Sequence, residues 1–210
     1  KEKRLIIMAK QFFVLGIGGT GMRCIESLIH LCAMGMFDDT DIHLLALDTD
    51  KDNGNFARLK EVKEAYVKAK GTDASLRTAL NETFFSANIN YYEFSPNYEV
   101  KSDFMSVFNY GDTKFNNPEQ TAIADLVLTK NVETFNLRHG YRAQTHLGSM
   151  MMYHSILEAA RSNKNSELKT YLQKLIQVAQ NGGARVFILG SVFGGTGASS
   201  IPIIPQAISK

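Results

Sequence analysis

Cysteine is scarce in this chain: Cys24 and Cys32 are the only two among 210 residues. They stand in a stretch of helical periodicity, separated along its axis by roughly 12 Å, so a bridge between them is excluded. So few thiols also exclude a cysteine-based zinc site and read as a reduced, cytoplasmic protein. Charge of one sign is missing as well. The 23 Lys and Arg nearly balance 21 Asp and Glu, leaving +2 and no polybasic run, so nucleic acid is not an expected partner. Long apolar runs are absent too. Phe12 to Leu15 and Ile42 to Leu47 (interrupted by His43) are far too short to span a bilayer. Lys1 to Met8 lacks the apolar core of a signal peptide, so no membrane partner is expected. Hydrophobic residues nevertheless make up 44% and charged residues 21%. That excludes wholesale disorder and suits one domain with a real core.

What is present is a strand–glycine–helix pattern. Phe12 to Leu15 reads as a buried strand running into glycines. Ile25, Leu28, Ile29 and Cys32 then fall on one face of an amphipathic helix that ends near Gly35. Ile42 to Leu47 is a second buried strand, closing at Asp48-Thr49-Asp50. This is a βαβ unit, expected to be parallel. Residues 51–140 read as an irregular insertion, with a charged helix over Ala57 to Lys70 and a short one over Glu119 to Thr129. The aromatics Tyr91, Tyr92, Phe94 and Tyr98 there are expected to pack locally. Order returns with a helix whose expected inner face is Leu147, Met150, Met151, His154 and Leu157. A second helix carries Leu168, Tyr171, Leu172, Leu175, Ile176 and Ala179, and stops at Asn181-Gly182-Gly183. Val186 to Leu189 is expected as another buried strand, again running into glycines and a helix. Strands alternating with helices predict an α/β domain, a Rossmann-like parallel sheet with helices on both faces.

The chemistry lies in two glycine turns. Gly16-Ile17-Gly18-Gly19-Thr20-Gly21 lets the backbone approach an anion while the following helix points its N–H groups at it. Alone this motif is shared by many nucleotide folds. The second turn, Phe193-Gly194-Gly195-Thr196-Gly197-Ala198-Ser199, also joins a strand to a helix. Dinucleotide folds need one phosphate turn, whereas two nests of N–H groups on one sheet edge suit a polyphosphate. Neither turn has the lysine of a Walker loop. The grip therefore falls to backbone amides and hydroxyls, with a metal ion. The acids Asp48 or Asp50 close the next strand, where a ribose hydroxyl is held in dinucleotide sites.

These residues resemble the tubulin/FtsZ superfamily, and within it the divergent bacterial tubulin-like proteins. Gly194-Gly195-Thr196-Gly197-Ala198-Ser199 is similar to the family's glycine-rich signature, with Phe193, Ala198 and Ser199 departing from it. Gly18, Gly19, Thr20 and Gly21 match its first phosphate loop, followed by Arg23 where the family has asparagine. Asp48 and Asp50 match its Asn-Thr-Asp loop. Gly140 to Ser149, including Gly148, stands where the terminal phosphate is sensed. The resemblance covers about 110 residues. It implies a GTPase-type domain holding GTP or GDP, with Mg2+ accompanying the nucleotide. In the assembled protein it implies cytoskeletal self-association, with hydrolysis completed at subunit contacts. It further implies that the base-stacking helix and the hydrolysis-completing acidic loop lie beyond Lys210, so this chain by itself is expected to hold no catalytic residue. An alternative resemblance is to ubiquitin-activating-type adenylating enzymes, carried by Gly16 to Gly21, Asp48 to Asp50, Asn53, Asn55 and Arg58. A non-catalytic assembly module is a third reading. Elsewhere, His154 and Glu158 read as a helix-surface pair, and Met150 to Met152 as core filler.

Overall fold

The computed structural model describes residues 11–37, 40–73, 84–96, 126, 141, 144–162 and 165–209. In chain order they form β1 (Gln11–Ile17), α1 (Gly18–Ala33), β2 (Asp41–Leu47), α2 (Asn55–Asp73) and β3 (Asn88–Phe94). Then come α3 (Thr145–Arg161), α4 (Glu167–Ala179), β4 (Ala184–Leu189), α5 (Gly195–Ser200) and α6 (Ile204–Ile208). The strands make one sheet in the order β3-β2-β1-β4, and every pairing is parallel. The expected α/β class and the two-sided cover of helices are both present.

The two faces carry separate cores. Residues 14, 42, 44 and 46 pack beneath α1 and α2 with Met22, Ile25, Ile29, Leu59 and Tyr66. Residues 13, 15, 45 and 47 pack beneath α3, α4 and α6 with Met151, Tyr171 and Ile204. Strand alternation explains the split, since successive side chains point to opposite faces. Helix α1 holds both cysteines, Cys24 exposed and Cys32 buried. Burial pushes the Cys32 thiol up to about 11. The helix ends at Met34, where Met36 N–H reaches back to Leu31 O and Gly35 turns with φ +79°. Arg58 ties α2 to α1 through two bonds to the Glu26 carboxylate, at 2.9 and 2.7 Å. Half-buried His154 and exposed Glu158 lie 3.9 Å apart.

Three expectations change. Asn88–Phe94, inside the stretch read as irregular, is a strand of the sheet. Its Tyr92 and Phe94 join the α3/α4 core, and Tyr91 packs against the other. On α3 the inner face is Leu147, Gly148, Met151, Met152, Ser155 and Ile156, while Met150 is exposed and His154 and Leu157 are half-buried. The helix is rotated because Gly148 lets it press onto α5. β4 is not fully buried: Val186 and Phe187 are 45% and 48% exposed. Among the described residues it pairs with β1 alone, and an edge strand keeps less cover than a central one. The short helix expected over Glu119 to Thr129, Tyr98, and most of residues 97–140 lie outside the described residues.

Candidate functional site

β1 and β4 are neighbours and parallel, so their glycine turns leave the sheet at the same edge. They touch. A Cβ on Gly18 would lie 3.6 Å from Thr196 Cβ, and Gly18 itself takes φ +66°. The turns and the end of β2 bound a cleft of about 280 Å³. Gly18, Gly19 and Thr20 form one wall, Gly194, Gly195, Thr196 and Gly197 a second, and Asp48, Asp50 and Asn53 a third. Ligands of open α/β sheets bind at such carboxyl edges.

Sequence-local physics positions each wall. Gly16 and Gly21 permit the tight β1–α1 turn, since a Cβ on Gly21 would lie 2.5 Å from Leu189 O and 2.6 Å from the Gly16 carbonyl carbon. Ile17 is the N-cap of α1 and Gly194 of α5, and neither supplies a side-chain cap. The first N–H groups of both helices therefore have no side-chain acceptor at their caps, and the residues that carry them line the cleft. In the second turn Gly197 packs so closely that a Cβ would collide with Ser191 O, and Phe193 N donates to Ser191 Oγ at 3.2 Å.

Asp48 joins the third wall to the second. Its Oδ1 accepts the backbone N–H of Thr49 at 2.8 Å and of Asp50 at 3.4 Å. The Thr196 hydroxyl donates to the same oxygen at 3.3 Å, and Asn53 Nδ2 to Oδ2 at 3.0 Å. The Thr49 and Thr196 hydroxyls meet at 3.2 Å. Asp48 is 3% exposed. Burial pushes its carboxyl above the ordinary value, while the four donors pull it down. Asp50 is half-buried, and its Oδ1 accepts Asp52 N–H at 3.0 Å.

The remaining candidates sit off the cleft. Gly21 is enclosed between Gly16 and Leu189. Arg23 is exposed on α1, and Ala198 is half-buried on α5. Gly148 lies behind the second turn, where a Cβ would collide with Ser199 Oγ and the Tyr141 ring. Its part is to let α3 close on α5, a contact also held by Ser149 Oγ donating to Ser199 O at 2.8 Å. Sequence reading did not single out Ile17 and Tyr141, although both stood in stretches assigned to the nucleotide; it missed Ser191, and it assigned Asn53 only to the adenylating resemblance. Ser191 had one available signal, a hydroxyl two residues before a glycine-rich turn. Tyr141 lay within the Gly140 to Ser149 stretch that the tubulin/FtsZ resemblance placed at the terminal phosphate, without being singled out.

Among the described residues the cleft lining carries no Lys or Arg, and its carboxylates are Asp48 and Asp50. An anion here would be held by backbone N–H groups and hydroxyls. Among the described residues no three His, Cys, Asp or Glu side chains converge to hold a metal ion. A divalent cation would thus take most of its ligands from phosphate oxygens and water, as Mg2+ commonly does. No helix among the described residues is long and apolar enough to cross a membrane. No protein-family model, no curated protein and no solved structure matches the chain.

Proposed function

We propose that this chain is the guanine-nucleotide-binding domain of a tubulin/FtsZ-type protein of the bacterial tubulin-like kind. The observation that carries the reading is the meeting of two glycine turns without side-chain caps, from adjacent parallel strands, in one cleft whose described lining holds no lysine. A polyphosphate lying between Gly18–Gly21 and Gly194–Gly197 would meet N–H groups from both sides. Asp48 and Asp50 fall on the side where the sugar or an accompanying Mg2+ would lie. In the assembled, cytoplasmic protein this domain binds GTP for self-association, and hydrolysis is completed at subunit contacts.

The test is to extract the purified chain and identify by chromatography the nucleotide it retains. GTP or GDP supports the reading. ATP or AMP supports the adenylating alternative, and an empty protein the non-catalytic assembly module. The matching variant is Gly194→Val. A Cβ there meets nothing within 4 Å and the residue holds φ −100°, so the fold tolerates it. The side chain would project where Gly194 lines the cleft. Loss of the retained nucleotide in a folded Gly194→Val protein is the expected result; full retention counts against the site.

A further inference from the structure

A second hollow lies at the amino end of the sheet, away from both glycine turns. It is a groove of about 550 Å³ that wraps β3, an edge strand among the described residues. Asp41 and Asn88, the first residues of β2 and β3, stand in register there. Two opposite charges line the groove without pairing. Lys174 of α4 is half-buried and makes no hydrogen bond or ion pair among the described residues. Asp41 is also half-buried; its Oδ1 accepts Asn88 Nδ2 at 3.0 Å, and its Oδ2 takes no hydrogen bond from the described residues. His43 is part of the same wall and 3% exposed. Its Nε2 meets Gln11 Oε1 at 3.1 Å. An amide oxygen only accepts, so Nε2 carries the proton and Nδ1 a lone pair. That Nδ1 is buried without a partner. Burial and then Lys174 hold the imidazole below its ordinary value, with Asp41 opposing them, so both charges act on one neutral ring.

We propose that this groove is a second binding site, for a small apolar amino acid whose carboxylate meets Lys174 and whose ammonium meets Asp41. The site is independent of the nucleotide reading. Charge decides the ligand class. A simple anion would satisfy Lys174 but bring like charge to Asp41, and a simple cation would do the reverse. A zwitterion satisfies both, and two charges that do not reach each other leave room for it between them. An ammonium also has three N–H donors, enough for Asp41 Oδ2 and for the lone pair of His43 Nδ1. The groove's other cation has a different task. Lys70 donates to Ser86 O at 2.8 Å, Ala87 O at 2.9 Å and Asn88 Oδ1 at 2.6 Å, which fixes the start of β3 and the amide that holds Asp41. The remaining wall is largely apolar: Tyr92, its ring 6.3 Å from that of His43, and Ile89 and 47% exposed Val67 around the strand edge. Such a surface favours an apolar side chain on the ligand.

The experiment measures equilibrium binding of three probes to the full 210-residue chain by calorimetry. They are L-leucine, L-leucinamide, which lacks the carboxylate, and 4-methylpentanoate, which lacks the ammonium. Leucine should bind, and each truncated probe should bind more weakly by about 10-fold or more, as for a lost charge-assisted hydrogen bond. Lys174→Gln and Asp41→Asn should each weaken leucine by a similar factor. Lys174 has no described contact to lose, and asparagine at 41 keeps an oxygen for Asn88, so both variants are expected to fold. Leucinamide should be indifferent to Lys174→Gln, and 4-methylpentanoate should not weaken in Asp41→Asn. Gly194→Val, altered at the opposite end of the sheet, should bind leucine as wild type does. No leucine binding at concentrations up to about 10 mM, well into the weak range, would overturn the proposal. So would 4-methylpentanoate binding as tightly as leucine, since the groove would then be a plain acid site. Leucine binding that ignores both Lys174→Gln and Asp41→Asn, or that disappears in Gly194→Val, would place it outside this groove and overturn the proposal as well.

Discussion

At the scale of single residues, the cleft is built by glycines with different duties, and substitution separates them. Gly21 is a packing glycine, since a Cβ there would meet backbone atoms of Leu189 and Gly16 at 2.5 and 2.6 Å. Backbone cannot step aside like the end of a flexible side chain. Gly21→Ala should therefore cost about 3 kcal/mol by urea unfolding, at the upper end of overpacking effects. A cost under about 0.5 kcal/mol, the range of an unremarkable surface change, would contradict the tight turn. Asp48 gives a second residue-scale expectation. Its folded pKa is raised above the ordinary 3.8 by burial. Just above that value the native state holds the proton more often than the unfolded chain. Stability from this group is thus full below the unfolded pKa and is lost as pH rises through the folded one. Asp48→Asn cannot titrate. Urea midpoints across the acid range should show the variant gaining on wild type as pH rises from about 4, then levelling. A constant difference between the two proteins would remove the raised pKa.

At the scale of elements, the sheet is central on one side and open on the other. Phe13 on β1 is fully buried, stacked on His43 with ring centroids 4.5 Å apart and edge-on to Tyr171 at 5.6 Å. Phe187 on β4 is 48% exposed and touches Phe12 at 6.0 Å. Phe13→Ala should cost about 3–5 kcal/mol, and Phe187→Ala roughly half or less, by chemical denaturation. Equal costs would mean that β4 is covered as well as β1. The same contrast shows what was legible in the sequence. Phe12 to Leu15 and Ile42 to Leu47 identified themselves by apolar runs, because central parallel strands are buried on both faces. Val186 to Leu189 reads identically, yet among the described residues it sits at an edge; strand order depends on long-range pairing that a local run does not encode. Asn88–Phe94 escaped because an edge strand with polar Asn88, Asn90 and Glu93 lacks that run. Both glycine turns were legible because each needs its residue types locally. The sharing of Asp48 between Thr49, Asn53 and Thr196 was not, since Thr196 is 148 positions away and arrives only when β4 pairs with β1.

At the scale of the whole molecule, the proposed reading separates holding a nucleotide from hydrolysing it. Hydrolysis needs a water fixed by an acceptor as well as a stabilised phosphate. The cleft supplies the second element through two sets of N–H groups. For the first, the described lining offers two carboxylates, Asp48 and Asp50. Asp48 is buried and bonded to four donors, and in the proposed reading Asp50 falls on the side of the sugar or Mg2+ and not at the attacking water. The Thr49 and Thr196 hydroxyls, 3.2 Å apart, are too weakly basic to replace them. Nor does the lining carry, among the described residues, a Lys or Arg to stabilise charge as the leaving group departs. The 210-residue chain should therefore bind GTP and release phosphate at no more than a trace rate. Binding without turnover should also raise the melting temperature with GTP concentration, by the mass-action term that any ligand of the native state supplies. Both measurements use one preparation: a thermal scan against GTP, and steady-state phosphate release at several protein concentrations. A melting shift with negligible release is the expected pair. Robust release, linear in protein concentration and preserved in Asp50→Ala, would show that the cleft contains a general base outside the acids named here and would overturn this division of labour.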